Sequence, residues 1–226
     1  MKKIVIPGDL VTEERKRLGI HVFVENGKIY SDCLGIMDTE SATASVIPLQ
    51  GRYIPTAGDL IVGIVKSEKH SVYEVDINSI YSSYMSKRDI RETLKTGAII
   101  SAKVDSVNEV NEASISDIRV FYGGEIVEVS PVKVPRLIGK NGSMLNVLKS
   151  GTNSSLLIGR NGRVWAKNGN LKLLKDAIQK IESEAHLGNL TNKMEEFMKT
   201  NQSAQISEKT NMKNIENDEK NDERVA

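Results

Sequence analysis

The sequence of 226 residues contains one cysteine, Cys33, so no disulfide bond can form within the chain. It also lacks a run of roughly 18 to 20 apolar residues, the length that a membrane-spanning helix needs. The apolar start of the chain ends at Pro7-Gly8-Asp9, before the roughly 7 to 15 apolar residues of a secretory signal are reached. Because an unpaired cysteine is typical of a reducing compartment, we predict a cytoplasmic protein without a membrane partner.

The sequence also lacks a catalytic constellation. The three histidines, His21, His70 and His186, lie far apart, and none has metal-ligand spacing with Cys33. Acidic residues are scattered, and no compact cluster suggests the two-metal site of a nuclease. We therefore predict no catalytic residue, no metal site and no cofactor.

Positive charge is concentrated in one segment, although the formal net charge of the chain is only +1. Residues 125–190 contain ten Lys and Arg against five Asp and Glu, whereas the other segments are neutral or net negative. A local excess of this kind suits a phosphate-binding surface. It is also compatible with the ordinary variation of a solvated surface, so charge alone does not decide.

The first 124 residues predict two successive β structures. Residues 1–57 contain short β-branched runs separated by turns, among which Asn26-Gly27 is a good hairpin signal because both turn positions need positive φ. Residues 58–124 contain further strand-like runs around a polar stretch, Ser79 to Lys95. About five strands in this length suit a small closed barrel of the OB type, although an SH3-like barrel also fits the pattern.

Residues 125–190 predict the element order of a KH domain. A strand and a short helix lead to the loop Gly139-Lys140-Asn141-Gly142, and a second helix follows, with Ser143 as its predicted N-cap and Gly151 at its end. A hairpin about Asn161-Gly162 and an amphipathic helix complete the domain.

Residues 191–226 predict a disordered tail. Over most of its length this segment is dominated by Asn, Glu, Lys, Asp and Ser. Such a composition cannot bury enough apolar surface to offset the entropy lost on ordering.

The loop Gly139–Gly142 is the main functional candidate. Its glycines let the backbone approach a sugar–phosphate chain, and the amides that begin the next helix face the phosphates. In a KH domain this loop clamps about four nucleotides. A P-loop is excluded, because Val134 stands where its first glycine is needed and Asn141 where Ser or Thr is needed. A simple tight turn stays possible. The predicted RNA contacts of this domain are Arg136, Gly139, Lys140, Asn141, Gly142, Lys149, Arg160 and Arg163.

A second Gly-x-x-Gly, residues 159–162, lies between two strands instead of two helices. That position favours a hairpin turn with Asn161-Gly162 at its tip over an RNA clamp. Trp165, the only tryptophan, is interpreted as a packing anchor. Arg160 and Arg163 could still contribute to the positive surface.

In the predicted barrel, aromatic residues alternate with cations along one connection and the polar stretch after it. This mixture suits base stacking combined with phosphate attraction. The alternative is that the tyrosines border the core and the cations form a solvated face. The predicted RNA contacts of the barrel are Lys66, Lys69, His70, Tyr73, Tyr81, Tyr84, Lys87, Arg88 and Arg91.

Five short motifs, in this order of domains, resemble one known family, the RNA-binding cap subunit of the archaeal exosome, of the Rrp-four type. The resemblance covers about residues 3–190. The motifs are Ile6-Pro7-Gly8-Asp9-Leu10, Gly51-Arg52-Tyr53-Ile54-Pro55, Gly58-Asp59, Val75-Asp76-Ile77-Asn78-Ser79 and Gly159-Arg160-Asn161-Gly162-Arg163-Val164-Trp165.

The resemblance implies an N-terminal β domain over residues 1–57 that docks on a hexameric ribonuclease ring. It further implies an RNA-binding barrel of the ribosomal-protein type over 58–124 and a KH domain over 125–190. Three such caps form a trimer that recruits single-stranded RNA and favours adenine-rich 3′ ends, while the ring performs phosphorolytic 3′-to-5′ decay. The cap itself is not catalytic in this family. The stretch His70-Ser71-Val72-Tyr73 departs from the Phe-Gly-x-Phe of the wider barrel class, which argues against base stacking by this strand.

Two other functions are weighed against this one. A phosphorolytic ribonuclease with both RNA modules places KH before barrel and needs two large catalytic domains, for which 226 residues leave no room. A transcription-elongation factor also places a barrel before KH. That class usually carries two KH copies, whereas this sequence contains one glycine loop between helices.

Overall fold

The computed structural model describes residues 3–39, 42–90, 92–185 and 189–201. The chain divides into two units: Met1–Tyr53 with Ser130–Val132, and Ile54–Val129 with Lys133–Ala226. The second unit contains both the barrel and the KH domain. None of the helices in the described part of the chain is long and apolar enough to cross a membrane.

The first unit is built from two small sheets, with strand orders β1-β6-β7-β3 and β2-β5-β4. Its core is formed by Val5, Val11, Ile29, Ala44 and Val46. The predicted hairpin is confirmed, because β4 and β5 pair antiparallel around Asn26 and Gly27, with φ of 51° and 80°. The strands are β1 (Ile4–Val5), β2 (Leu10–Thr12), β3 (Arg17–Leu18), β4 (Val22–Glu25), β5 (Lys28–Ser31), β6 (Gly35–Asp38) and β7 (Thr43–Pro48).

The second unit begins with a closed five-stranded barrel, whose strands follow one another as β10-β12-β11-β8-β9. All neighbours are antiparallel except β10 and β12. The barrel prediction is therefore confirmed. One strand, β10, lies inside the stretch predicted to be polar. The strands are β8 (Leu60–Glu68), β9 (Val72–Asp76), β10 (Ser83–Ser86), β11 (Ile99–Val107) and β12 (Ala113–Phe121).

Strand β10 shows why a polar segment can enter a core. Its inward positions are Ser83 and Met85, both fully buried. The Ser83 hydroxyl donates a hydrogen bond of 2.5 Å to the carbonyl of Val75 on β9, so the buried oxygen is satisfied. One apolar side chain and one paired hydroxyl are too little to appear as a strand pattern in the sequence.

The KH domain has the predicted order of strand, helix, glycine loop, helix, strand, strand and helix. Its sheet has the order β13-β15-β14, and the helices pack on one core that includes Leu137, Leu148, Leu174 and Ile178. The elements are β13 (Glu125–Glu128), α1 (Val134–Ile138), α2 (Ser143–Thr152), β14 (Ser155–Ile158), β15 (Arg163–Lys167) and α3 (Leu171–Glu184).

Both predicted limits of α2 need correction. Ser143 lies inside the helix, and Gly142 is the N-cap, without a side-chain hydrogen bond. The helix continues through Gly151 to Thr152. A Cβ on Gly151 would lie 2.6 Å from Cγ of Met198, so this glycine permits close packing of another helix instead of ending its own.

That other helix, α4 (residues 190–201), corrects the predicted start of the disordered tail. Leu190, Met194 and Met198 are buried in the KH core. Their spacing of four residues places them on one helical face, but the many polar residues between them conceal it. The rest of the predicted tail, residues 202–226, lies outside the described residues, and its disorder stays a prediction.

Candidate nucleic-acid interface

The loop between α1 and α2 is held by backbone conformations that favour glycine. Gly139 has a φ of 74° and a ψ of 174°, and its N–H donates to the Pro135 carbonyl over 2.9 Å. Asn141 and Gly142 follow with φ of 53° and 77°. The chain thus reverses between the two helices with its backbone at the surface.

The two glycines of this loop have different roles. A Cβ on Gly139 would lie 2.7 Å from the amide nitrogen of Met144 and 2.8 Å from Oγ of Ser143, so only glycine fits there. A Cβ on Gly142 would meet nothing within 4 Å. Gly139 is therefore required by the fold, whereas Gly142 leaves open space in front of the helix.

The charged side chains around the loop are positive and are accessible to a phosphate. Lys140, Arg136 and Lys149 are exposed, and none of them forms an ion pair within the described residues. The first turn of α2 carries no acidic residue, and of its N–H groups that of Ser143 donates to the Lys140 carbonyl. A helix N-terminus beside unpaired cations is a favourable place for a phosphate.

The second glycine turn, residues 159–162, connects the antiparallel strands β14 and β15, which confirms its interpretation as a hairpin turn. Asn161 is fully buried, and its side-chain amide donates to the carbonyls of Val62 and Ile77 over 2.7 and 2.9 Å. Its side-chain oxygen accepts the Val62 N–H over 3.2 Å. The Asn78 side chain donates to the Asn161 carbonyl over 3.0 Å. The turn therefore joins the KH domain to the barrel.

Arg163 belongs to the same junction, which corrects its assignment to the RNA surface. Its side chain is only 5% exposed and donates to the carboxylate and to the carbonyl of Asp76 over 2.8 and 2.7 Å. Burial raises the pKa of Asp76, but hydrogen bonds from Arg163 and the Asn78 N–H hold it below its usual value. Arg160 is exposed, and its Nε lies 3.6 Å from the Asp59 carboxylate.

Three of the predicted barrel cations form ion pairs with two acidic neighbours. Lys66 and Lys69 lie 2.9 and 3.0 Å from the carboxylate of Glu74. Their hydrogen bonds lower the pKa of Glu74 to about 2, so the carboxylate stays charged. Lys87 pairs with Glu68 over 2.6 Å. A phosphate must compete with these carboxylates, which weakens the barrel's share of any electrostatic attraction.

Tyr73 is corrected from a base-stacking residue to a core residue. It is 3% exposed, and its hydroxyl accepts the Leu94 N–H over 3.2 Å. One face of the ring still attracts a cation, since Nζ of Lys87 lies 5.4 Å from its centroid. A fully packed ring cannot receive a base.

Three other predicted barrel residues, Tyr84, His70 and Arg88, lie at the surface. Tyr84 is half-buried, with Nζ of Lys69 lying 5.0 Å from the centre of its ring. His70 and Arg88 are exposed, and Arg91 lies outside the described residues.

One groove of about 420 Å³ brings Lys66 and Tyr81 together on the barrel surface. It is also lined by Ile80, which is 61% exposed and which the sequence analysis did not select. The Tyr81 ring could stack on a base, with Ile80 adding apolar contact and Lys66 adding charge beside it. In the sequence, only its position directly before Tyr81 could have indicated that Ile80 belongs to this surface.

The structure brings together three possible metal ligands that their spacing in the sequence did not associate. The β4–β5 hairpin brings His21 beside Asp32 and Cys33, and one donor atom of each lies within 4.8 Å of the other two. This cluster belongs to the first unit.

Two family models match the chain. The N-terminal domain of the exosome RNA-binding protein RRP4 matches residues 2–50. The KH domain model matches residues 124–172, which include the glycine loop and the turn at the barrel junction.

Named relatives match most of the chain. An exosome complex component Rrp4 of Methanosarcina barkeri is 40% identical over 92% of this chain and 86% of its own length. That of Methanobrevibacter smithii is 38% identical over 85% of this chain and 70% of its own length. A crystal structure of an exosome complex RNA-binding protein is 30% identical with a TM-score of 0.62, over 69% of this chain and 99% of that one. The chain therefore belongs to the Rrp4 family of exosome complex components.

Proposed function

We propose that the protein is a non-catalytic, cytoplasmic cap subunit of an archaeal exosome that brings single-stranded RNA to a ribonuclease ring. The observation that carries this proposal is the surface loop Gly139–Gly142 in a chain of the Rrp4 family, with cations beside it that form no ion pair within the described residues. The ring would perform the phosphorolytic 3′-to-5′ decay, and the cap would raise its efficiency.

RNA would enter first at the KH domain. The open space in front of Gly142 allows a phosphate to approach the N–H groups that begin α2, and Lys140 and Arg136 add positive charge. On the barrel, Lys66 and Lys69 already share Glu74. We therefore expect the KH loop to supply most of the salt-dependent affinity, and the groove at Ile80 and Tyr81 to supply stacking.

The first unit would dock on the hexameric ring and hold three caps as a trimer. It carries nine of the fourteen large apolar side chains that are exposed among the described residues, and exposed apolar surface is typical of a site that meets another protein. These residues are Ile4, Ile6, Leu10, Leu18, Ile20, Phe23, Val24, Leu34 and Ile47.

The proposed function is tested by reconstituting decay from purified ring proteins with and without this chain. We expect the chain alone to leave RNA intact in the presence of phosphate, and to accelerate decay when the ring is added. The chain should accelerate the decay of RNA with an adenine-rich 3′ end more than that of a pyrimidine-rich RNA of equal length. Degradation by the chain alone, or association with transcription proteins instead of the ring in a pull-down, would contradict the proposal.

A second prediction concerns Lys140. The affinity for RNA falls as salt rises, and on single strands each phosphate contact makes the log–log slope steeper by roughly 0.7. We expect Lys140→Gln to make this slope shallower by roughly 0.7, because one phosphate contact is lost. Lys172→Gln, at an exposed lysine of α3, is the matched control and should leave the slope unchanged. The measurement is fluorescence anisotropy of labelled RNA over a series of salt concentrations. Equal slopes for both variants would show that Lys140 makes no phosphate contact.

A further inference from the structure

We propose that His21, Asp32 and Cys33 form a zinc-binding site in the first unit. His21 directly precedes β4, and Asp32 and Cys33 directly follow β5. All three therefore lie at the open end of the hairpin, where Val22 pairs with Ser31. His21 has a φ of 60°, and the Asp32 N–H donates to the His21 carbonyl over 3.3 Å. The hairpin register thus places the imidazole opposite the carboxylate and the thiol.

The distances suit one ion. Nδ1 of His21 lies 3.1 Å from Oδ1 of Asp32, and the donor atoms of all three residues lie within 4.8 Å of one another. An ion bonded to nitrogen, oxygen and sulfur at about 2.0 to 2.3 Å holds such atoms about 3.3 to 3.7 Å apart in tetrahedral geometry. Small rotations of exposed or half-buried side chains are enough to reach this arrangement.

The donor set selects the class of metal. Imidazole and thiolate are ligands of zinc and related borderline ions, whereas magnesium and calcium take oxygen ligands. Three protein ligands leave a fourth position open to water or to a group of a partner. Asp32 is exposed, so an ion can enter from solvent.

The surroundings of Cys33 support a structural role for the ion. The buried hydroxyl of Ser31 accepts the Cys33 N–H over 3.3 Å and donates to the Cys33 carbonyl over 2.7 Å, which fixes the backbone that carries the thiol.

The site is tested on the reduced, metal-free full chain by titrating Zn²⁺ against a chromophoric chelator. We expect one bound equivalent, with affinity weakened at least about tenfold in Cys33→Ser and in His21→Asn. Asparagine is chosen because it tolerates the positive φ of residue 21. His70→Asn, at an exposed histidine of the barrel, is the matched control and should bind as the unmodified chain does. Mg²⁺ should not compete.

Two further readouts do not depend on the variants folding. Co²⁺ should give a thiolate charge-transfer band, which can only come from Cys33 because the chain has no other cysteine. Zn²⁺ should also slow alkylation of Cys33 at least about tenfold, since a metal-bound thiolate is shielded. Binding of Co²⁺ without this band, an unchanged alkylation rate, or equal Zn²⁺ affinity in the unmodified chain and Cys33→Ser would overturn the proposal.

Discussion

Replacing Asn161 with alanine is expected to lower the free energy of unfolding by about 3 to 5 kcal/mol, near the upper end for a single substitution. The side chain is fully buried and makes three hydrogen bonds to the backbone of Val62 and Ile77. Alanine would leave one N–H and two carbonyl groups of the barrel without these partners, and each such loss costs about 1 to 3 kcal/mol.

The measurement is urea denaturation of the full chain, followed by circular dichroism and by the fluorescence of Trp165. That ring stacks on Phe121 of the barrel with centroids 4.1 Å apart, so its signal reports the junction itself. Asn146→Ala, at an exposed position of α2, is the matched control and should change stability by less than about 0.5 kcal/mol. A loss below about 1 kcal/mol in Asn161→Ala would mean that the buried amide does not join the two domains.

The junction has a consequence for RNA binding. Besides Asn161, the ion pair between Arg163 and Asp76 and the hydrogen bond from Asn78 connect the KH hairpin to the end of β9. Several buried contacts between two domains leave little freedom for independent motion. The glycine loop and the barrel groove are therefore held at a fixed separation, and an RNA strand that reaches both meets a preorganised surface.

The sequence predicted the parts of this site that depend on local patterns. Gly139–Gly142 lies between two helices whose apolar spacing is visible within a short window, and Asn26-Gly27 carries its own turn signal. The function of Asn161 could not be predicted in the same way, because its partner Val62 lies 99 residues away. The same holds for Tyr73, whose burial depends on barrel closure, since a tyrosine in an alternating strand can face either side.

Two other findings depend on how residues outside a recognised motif come together. His21 and Cys33 are twelve residues apart, and the register of the β4–β5 hairpin brings them together. The turn signal at Asn26-Gly27 predicts the hairpin, but the residues that flank it follow no metal-binding spacing. Helix α4 has its three buried residues, Leu190, Met194 and Met198, embedded in a polar composition. The average composition of residues 191–226 predicted disorder. The helix forms because its few apolar residues are spaced to lie on one face.

The variant Gly142→Asp is expected to weaken RNA binding by at least about tenfold, which corresponds to about 1.4 kcal/mol. A carboxylate would occupy the open space in front of α2, where the proposed phosphate sits, and like charges brought together there repel strongly. The fold should survive, because no atom lies within 4 Å of the added Cβ. The positive φ of 77° should cost about 1 kcal/mol.

The matched control is Gly142→Asn, which has nearly the same shape and tolerates the same φ but carries no charge. Both variants should lose similar stability in denaturation, so that a difference in RNA affinity reports the charge alone. Gly139→Ala should instead destabilise the KH domain itself, because the added Cβ would lie 2.7 Å from the Met144 nitrogen. Equal affinity of Gly142→Asp and Gly142→Asn for single-stranded RNA would mean that the loop is only a turn, and RNA contact would then have to be sought at Ile80 and Tyr81 on the barrel.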